Sequence, residues 1–433
     1  MRILLACFLF ISLSGGPARP CWGGFLPLDL EQSAKTDIAD DGPHVLWDGG
    51  TAYVHWVRNG VHAVETHSAP FELRLKEPEF MKLRLDGRPY QAVKAEIHDE
   101  PSKIFVISDI HGAFDVMRNL LIANKVIDSK NRWIFGKGHL VILGDAADRG
   151  NKVTQAFWFI RALEESAMAT GGRVHMVMGN HEAMLLTGDY RTVNPVYMNQ
   201  PEGMPGLEQL YGPQSELGRW LRSRPLMIKL GGTLFVHGGI SKEFLNKGLD
   251  IAAANRGLRL GLGTLAKPYP QPDQESDQIN AFLQGAAGPL WHRGMVLDGR
   301  NDSVSDADLN LILARFKVKR VVVGHTTLEN VASLHGGRVL AVDAGIQHGR
   351  GEGLYIEKGK LFRALADGSR VIIADETAMG FWQSPIVTEI ASAGQGWMAE
   401  KYHQDYLVKK QGGCSGARSK RRLNLNTARR LSI

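Results

Sequence analysis

Cysteine is almost absent from this sequence of 433 residues, which contains only three, at positions 7, 21 and 414. None of them lies between residues 24 and 408. That part of the chain therefore has neither a disulfide framework nor a set of thiolates that would bind zinc. Its stability must come from the packing of apolar residues, which make up 44% of the sequence.

Long apolar runs are also absent, apart from one at the N-terminus. Residues 1–23 contain Arg2, then about a dozen mainly apolar residues and a Gly-Gly-Pro break, a pattern typical of a secretory signal peptide. The apolar run is shorter than the ~18 residues that a membrane-spanning helix needs. A buried first helix is the alternative interpretation. We expect the protein to be exported, either to the periplasm or out of the cell.

Excess charge is confined to the C-terminal end. Residues 409–433 contain eight Lys or Arg and no acidic residue, whereas the whole chain has a net charge of +6. The remainder is therefore slightly acidic. We predict that residues 409–433 form a disordered basic tail that can contact anionic surfaces, and that residues 371–408 are a C-terminal extension.

The rest of the chain divides by the period of its apolar residues. Between residues 24 and 100, a polar linker precedes short segments in which apolar and polar residues alternate, which predicts a small β module. Between residues 101 and 370, apolar strand-like segments alternate with amphipathic helices. That pattern predicts an α/β domain with a covered sheet, whose ligands bind where the strands end.

Five apolar segments of this domain end in Asp, Asn or His. They are KIFVISDIHG (103–112), HLVILGDAADRG (139–150), VHMVMGNHE (174–182), TLFVHGG (233–239) and RVVVGHTT (320–327). One such ending is typical of a turn, but five predict a shared site. Carboxylate, amide and imidazole groups together suit divalent transition metals. We predict that two ions bind at these strand ends. Asp109 and His111 bind the first ion, Asp145 bridges both, and the second ion is completed by Asn180, His237 and His325.

Four further residues are predicted to act on a substrate. His181 follows a predicted ligand, so it would lie beside the metals and donate a proton to a leaving oxygen. Asp148 is its predicted partner. Arg149 and Arg293 are predicted to hold phosphate oxygens, because guanidinium groups bind them in a forked geometry. Glu182 is expected to hold backbone groups instead of a metal.

Two divalent ions about 3.5–4 Å apart form an arrangement used for displacement at phosphorus. Water between such ions becomes a nucleophile near neutral pH, so hydrolysis needs no covalent enzyme intermediate. The sequence also contains no obvious activated serine or cysteine. The pattern therefore predicts a hydrolase of phosphate esters.

The motifs SDIHG, GDAADRG, GNHE, HGG and GHT together resemble those of the calcineurin-like metallophosphoesterases, in particular the phosphoprotein phosphatase branch. The segments RPLMIKLGGTLFVHGGIS and GPLWHRG are similar to those of bacterial Shewanella-like protein phosphatases. The resemblance covers residues 101–350. It implies a β-sandwich core flanked by helices, two ions of manganese, iron or zinc, and hydrolysis of phosphomonoesters on a phosphoprotein or phosphopeptide. It also implies the ligand and catalytic roles given above for the matching residues.

The sequence departs from the family pattern at three places. Ser108 stands where glycine is usual, and Ala146 and Ala147 stand where tyrosine and valine are common. The segment AVDAGIQHG (341–349) has no counterpart of the tyrosine found in the eukaryotic branch. The choice between phosphoserine or phosphothreonine and phosphotyrosine is therefore open.

Two other functions compete with this interpretation. Diadenosine tetraphosphatases and other nucleotide phosphodiesterases carry the same metal motifs, and the candidate aromatic contacts for a purine are Tyr190, Tyr197, Tyr211 and Trp291. A protein of another class would bind polyanions or envelope material through its basic tail. Such a protein would be free to lose a metal ligand, yet all six are present. No nucleic acid is required for the predicted function.

Overall fold

The computed structural model describes residues 40–77, 81–90, 97–263, 275–297 and 303–375. The predicted signal peptide, the basic tail and all but the first residues of the C-terminal extension lie outside these ranges, so they stay predictions. Among the helices of the described ranges, none is both long enough and apolar enough to cross a membrane.

The predicted N-terminal β module is confirmed. Its strands are β1 (Asp41–Asp48), β2 (Thr51–Arg58), β3 (Val61–Ser68), β4 (Phe71–Arg74) and β5 (Lys82–Leu85). Strands β1 to β3 form an antiparallel sheet, and β4 pairs with β5 in a hairpin. Alternate residues of β2, at Ala52, Val54 and Trp56, are buried, so this face of the sheet packs on the core as the alternation predicted.

Two six-stranded sheets form the centre of the molecule. Their strands are, in chain order, β6 (Ile97–His98), β7 (Lys103–Ile107), β8 (His139–Ile142), β9 (Arg173–Met176), β10 (Met227–Leu230), β11 (Thr233–Val236), β12 (Arg320–Val323), β13 (Ala332–Leu334), β14 (Val339–Ala341), β15 (Glu352–Glu357), β16 (Lys360–Leu365) and β17 (Arg370–Asp375). The first sheet has the order β17-β16-β15-β7-β8-β9, and the second has the order β13-β14-β12-β11-β10-β6.

The two sheets pack face to face, and helices cover their outer sides. Ile104 and Val106 of β7 belong to an apolar cluster that includes Phe235 and Val322 of the second sheet. The alternate residue Phe105 belongs to the cluster that also contains the buried faces of the helices. The fold is therefore an α/β β-sandwich flanked by helices with a small N-terminal β module, as the resemblance implied.

Ten helices and two 3₁₀ turns lie in the described ranges. They are α1 (Phe114–Ala123), α2 (Val153–Met168), α3 (Asn180–Thr187), α4 (Pro195–Met198), α5 (Leu207–Leu210), α6 (Glu216–Arg222), α7 (Lys242–Asn246), α8 (Ile251–Gly263), α9 (Glu275–Leu283), α10 (Asp306–Phe316) and two 3₁₀ turns at His335–Gly337 and Ile346–His348. In α1, the predicted face is buried at Phe114, Met117, Leu120 and Leu121.

Parallel pairing brings the polar strand ends together. Strands β7, β8 and β9 run parallel in the first sheet, and β11 and β12 run parallel in the second. Each of these five strands ends one to four residues before a predicted metal ligand. The carboxyl ends of the strands therefore deliver all six predicted ligands to one end of the sandwich.

Three histidines lie in contact at an edge of the sandwich, where β6 of one sheet meets β8 and β9 of the other. The ring of His175 lies 5.0 Å from that of His98 and 4.9 Å from that of His139. Burial lowers the pKa of His139 to about 4 and holds the pKa of His175 well below its usual value, and the positive charge of Arg173 adds to both effects.

This cluster predicts a loss of stability in mild acid. Between about pH 6.5 and 4 the unfolded chain binds more protons than the folded protein, so the free energy of unfolding falls as the pH falls. Replacement His175→Gln should reduce this pH dependence, measured by denaturant unfolding at a series of pH values. Superimposable pH curves for the wild type and H175Q would contradict the assignment.

Candidate dinuclear metal site

Four of the six predicted ligands lie on turns with an uncommon backbone conformation. Asp109, His111, Asp145 and His325 have φ angles of 52°, 45°, 54° and 63°. This left-handed region is unfavourable for residues other than glycine and costs on the order of 1–3 kcal/mol for each. Such strain persists only where surrounding contacts hold the backbone in place, and it is typically concentrated at functional sites.

His237 is the centre of one group of ligand atoms. Its Nε2 atom lies 2.9 Å from Asn180 Oδ1, 3.2 Å from His325 Nδ1 and 3.2 Å from Asp145 Oδ2. Its Nδ1 atom lies 2.5 Å from the carbonyl oxygen of Leu143 and therefore donates a hydrogen bond there. Nε2 is thus directed at three atoms that carry lone pairs, which is the donor set of a divalent cation.

The electrostatic field at this group favours positive charge. Burial lowers the pKa of His237, but the neighbouring Asp145 carboxylate more than offsets it and raises that pKa to about 9. Burial lowers the pKa of His325, and the charge of His237 lowers it further. A field that draws a proton to Nε2 of His237 equally attracts a metal ion.

A second group of ligand atoms shares Asp145 with the first. Nδ1 of His111 donates to the carbonyl oxygen of Ala147 over 2.8 Å, which leaves its Nε2 atom 3.7 Å from Asp145 Oδ2 and 4.0 Å from Asp109 Oδ1. Burial lowers the pKa of His111 to about 4, so its ring is neutral. These separations fit an ion bound about 2.0–2.2 Å from each ligand atom.

The bridging residue differs in one respect from the simplest expectation, in which each carboxylate oxygen would bind one ion. Oδ2 of Asp145 faces both His111 and His237, whereas Oδ1 accepts the backbone N–H of His181 at 2.9 Å. If two ions bind here, Oδ2 would therefore be the ligand atom that both groups share. Asp109 is held similarly, since its Oδ2 atom accepts hydrogen bonds from Ser108 and from the backbone N–H of His325.

Glu182 orders the backbone below the ligands, as expected from the sequence. Its carboxylate accepts hydrogen bonds of 2.7–2.9 Å from the backbone N–H groups of Asp145, Ala146, Ala147 and Gly179. A side chain at Gly179 would place its Cβ 2.1 Å from Asp145 Oδ1. The turn that carries the bridging carboxylate and the start of α3 are thus tied together by one buried acid.

His181 and Asp148 form the predicted pair. Nδ1 of His181 lies 2.7 Å from Asp148 Oδ2, and its Nε2 atom lies 3.9 Å from Asp145 Oδ2. Its position also permits an alternative role, because His111, Asp145 and His181 together could hold an ion. Arg149 Nη2 approaches His181 Nε2 at 3.2 Å, which places its guanidinium beside the predicted proton donor.

Arg293 lies on the other side of the site. Its Nη1 atom donates to the carbonyl oxygen of His325 and lies 3.3 Å from Thr326 Oγ1. The structure therefore brings all ten predicted residues to one end of the sandwich, with one arginine near each group of ligand atoms.

Some neighbours of the site were not indicated by the sequence. Gln347 Oε1 accepts a hydrogen bond from Arg149 Nη1, and Thr192 Oγ1 donates to Asp148 Oδ2 at 2.6 Å. Gln347 lies in the AVDAGIQHG segment, whose departure from the family pattern was the available signal. Thr192 lies in an insertion without a recognisable motif.

Two of the candidate purine contacts have other partners. Tyr197 and Tyr211 are buried in the apolar core, and the Tyr197 hydroxyl accepts the backbone N–H of Val153 at 2.9 Å. Trp291 packs edge-on against His325, with ring centres 5.6 Å apart. Of the four, only Tyr190 and Trp291 are partly exposed, which weakens the case for a purine pocket built from this set.

Comparison with known proteins shows the family of this chain. The profile of the calcineurin-like phosphoesterases matches residues 102–328, more than half of the chain. The crystal structure of a cold-active protein-tyrosine phosphatase from a psychrophilic Shewanella species is 33% identical, with a TM-score of 0.68, over 78% of this chain and 100% of that one. The chain therefore belongs to the calcineurin-like phosphoesterase family, as its motifs indicated.

Two curated relatives represent different activities within that family. Shewanella-like protein phosphatase 1 of Plasmodium berghei is 30% identical over 231 residues, which are 52% of this chain and 61% of that protein. The symmetrical bis(5'-nucleosyl)-tetraphosphatase of Neisseria meningitidis is 30% identical over 148 residues, which are 32% of this chain and 44% of that protein. The protein phosphatase shares the longer region.

A second family profile matches the C-terminal part of the chain. Residues 366–430 match peptide methionine sulfoxide reductase, and 45 residues are 51% identical to MsrA of Geobacter metallireducens. That stretch is 10% of this chain and 28% of the reductase. The motifs considered above gave no sign of this similarity, and the structure describes only its first residues, at the β16–β17 hairpin.

The contacts of Glu182 predict a large effect of a small substitution. In the variant Glu182→Gln, an amide NH₂ group would face backbone N–H donors, and we expect a loss of about 3 kcal/mol in the free energy of unfolding. Denaturant unfolding measures this quantity. Glu202→Gln, at an exposed position, is the control and should change stability little. Equal stability of E182Q and the wild type would contradict the role of this carboxylate.

Proposed function

We propose that this protein is a metal-dependent phosphoprotein phosphatase that hydrolyses phosphomonoesters of serine, threonine or tyrosine. The observation that carries the proposal is the sharing of Asp145 Oδ2 by two groups of ligand atoms, directly beside the His181–Asp148 pair. The protein phosphatases among its relatives support the choice of substrate class.

The donor set supports two divalent cations. Mixed carboxylate, amide and imidazole ligands accept manganese, iron or zinc, and we propose one of these at each position. Such ions, when bound, supply positive charge and activate water for attack at phosphorus.

The side chains around the ligands supply binding and proton transfer. His181 is buried and fixed at Nδ1 by Asp148, so its Nε2 atom is the proton donor for the leaving oxygen. Arg149 and Arg293 hold the phosphoryl oxygens from opposite sides, and their charge favours a dianionic ester. A positioned general acid of this kind contributes roughly 10²–10⁴-fold to a rate.

The N-terminal sequence supports export, and we propose that the enzyme acts in the periplasm or outside the cell. The basic residues of 409–433 support contact with an anionic surface. Both proposals concern residues outside the described ranges.

The direct test is phosphate release from two peptides that differ only in phosphotyrosine against phosphoserine, with the protein loaded with Mn²⁺. We expect release from at least one peptide, and the ratio of kcat/KM values gives the amino-acid preference. Release from neither peptide, with cleavage of diadenosine tetraphosphate instead, would overturn the proposal in favour of a nucleotide hydrolase.

The variant His181→Asn tests the assignment of the proton donor within the same assay. We expect an unchanged metal content and a kcat at least ~100-fold lower, since a general acid is removed while the ligands stay. Loss of one metal ion in H181N would instead make His181 a ligand, the alternative that its distance to Asp145 permits.

A further inference from the structure

The loop that carries Asp148 and Arg149 is held in a strained conformation by a segment outside the family motifs. These two successive residues have φ angles of 68° and 62°. Left-handed backbone at two neighbouring residues other than glycine requires external contacts that hold it. Residues 192–194, Thr-Val-Asn, supply those contacts, and we call this segment the clasp.

The clasp binds both backbone polar groups of Arg149. The N–H of Arg149 donates to the carbonyl oxygen of Thr192 at 3.0 Å, and Asn194 Nδ2 donates to the carbonyl oxygen of Arg149 at 2.7 Å. The other side-chain atom of Asn194, Oδ1, accepts the N–H of Val196 at 3.0 Å and caps the start of α4. Asn194 thus connects the backbone of Arg149 to the N-terminal end of α4.

The hydroxyl of Thr192 acts on the carboxylate itself. It donates to Asp148 Oδ2 at 2.6 Å, the same oxygen that lies 2.7 Å from Nδ1 of His181. Asp148 is only 2% exposed, so few waters compete for its oxygens. A second donor on Oδ2 fixes the direction in which that oxygen points, and hence the orientation of the imidazole.

The clasp is itself anchored to the rest of the molecule. The Tyr197 hydroxyl, three residues after Asn194, accepts the N–H of Val153 at the start of α2. Further along the same insertion, Glu216 accepts hydrogen bonds from Trp47 and Tyr90, at 2.7 and 2.5 Å. Trp47 lies on β1, so the N-terminal β module supports the insertion that carries the clasp.

We propose that the clasp positions the proton-donating pair, and that Thr192 is a positioning residue that fixes Asp148 Oδ2 on His181. This inference rests on the proposed function, because it assigns Thr192 to the step in which the leaving oxygen is protonated. Removing a residue with that role slows hydrolysis most for substrates whose leaving oxygen needs a proton. Removing a residue that only stabilises the fold slows all substrates alike.

The test compares Thr192→Val with Thr192→Ser on two aryl phosphates, using the Mn²⁺-loaded full chain. Departure of 4-nitrophenolate requires little protonation, whereas phenyl phosphate has a leaving oxygen as basic as that of tyrosine, with a pKa of about 10. We expect T192V to lower kcat at least ~10-fold for phenyl phosphate and less than about threefold for 4-nitrophenyl phosphate. T192S keeps the hydroxyl and should resemble the wild type on both substrates.

Controls separate positioning from folding. Thr187→Val removes a hydroxyl that bonds to the backbone of α3, and it should change neither rate. Metal content and the circular dichroism spectrum should be the same in all variants. If T192V is not folded, Thr192→Ala replaces it in the comparison, since alanine places no additional methyl group beside the carboxylate.

The outcomes distinguish this inference from the proposed function. Equal loss on both substrates, or no loss on either, in a wild type that hydrolyses both, overturns the positioning role alone. A metal-loaded wild type that hydrolyses neither aryl phosphate nor phosphopeptide overturns the proposed function, and the inference falls with it.

Discussion

The rest of the site depends on how the Asp145 carboxylate is held. Burial penalises a charged carboxylate, yet the surrounding histidines hold the pKa of Asp145 below its usual value, so it remains ionised. One of its oxygens accepts the N–H of His181, and the other faces His111 and His237. Burying this charge is favourable only if positive charge accompanies it, and the converging nitrogen and oxygen atoms supply the place for that charge.

The strained turns follow from this requirement. Parallel strands bring their ends to one edge, but their regular geometry does not point six side chains at one small volume. The left-handed residues at Asp109, His111, Asp145 and His325 redirect the chain two to four positions after the ends of β7, β8 and β12. Close contact between turns limits what fits there: a Cβ atom at Gly150 would lie 2.3 Å from the carbonyl oxygen of His111. The local cost in backbone energy is offset by the packed sandwich below.

Much of this arrangement was predictable from the sequence, because the relevant information is local. An apolar strand followed by Asp, Asn or His within a few residues places a polar group at a strand end, and the fold brings such ends together. The clasp was not predictable in this way, since Thr192 and Asp148 are 44 residues apart and their contact depends on the path of an insertion. The contact of Gln347 with Arg149 was not predicted for the same reason, since these residues are 198 positions apart. The aromatic residues show the converse error, since Tyr197 and Tyr211 were candidates for a ligand pocket but pack in the core.

The central claim is that Asp145 would hold two metal ions at once, one for each group of ligand atoms. The most direct measurement is the number of metal ions per chain, determined by inductively coupled plasma mass spectrometry, in the wild type, in Asp145→Asn and in His237→Ala. The account predicts two ions in the wild type, loss of both in D145N, and loss of one in H237A. Two ions retained in D145N, or one ion lost there as in H237A, would contradict a shared bridge.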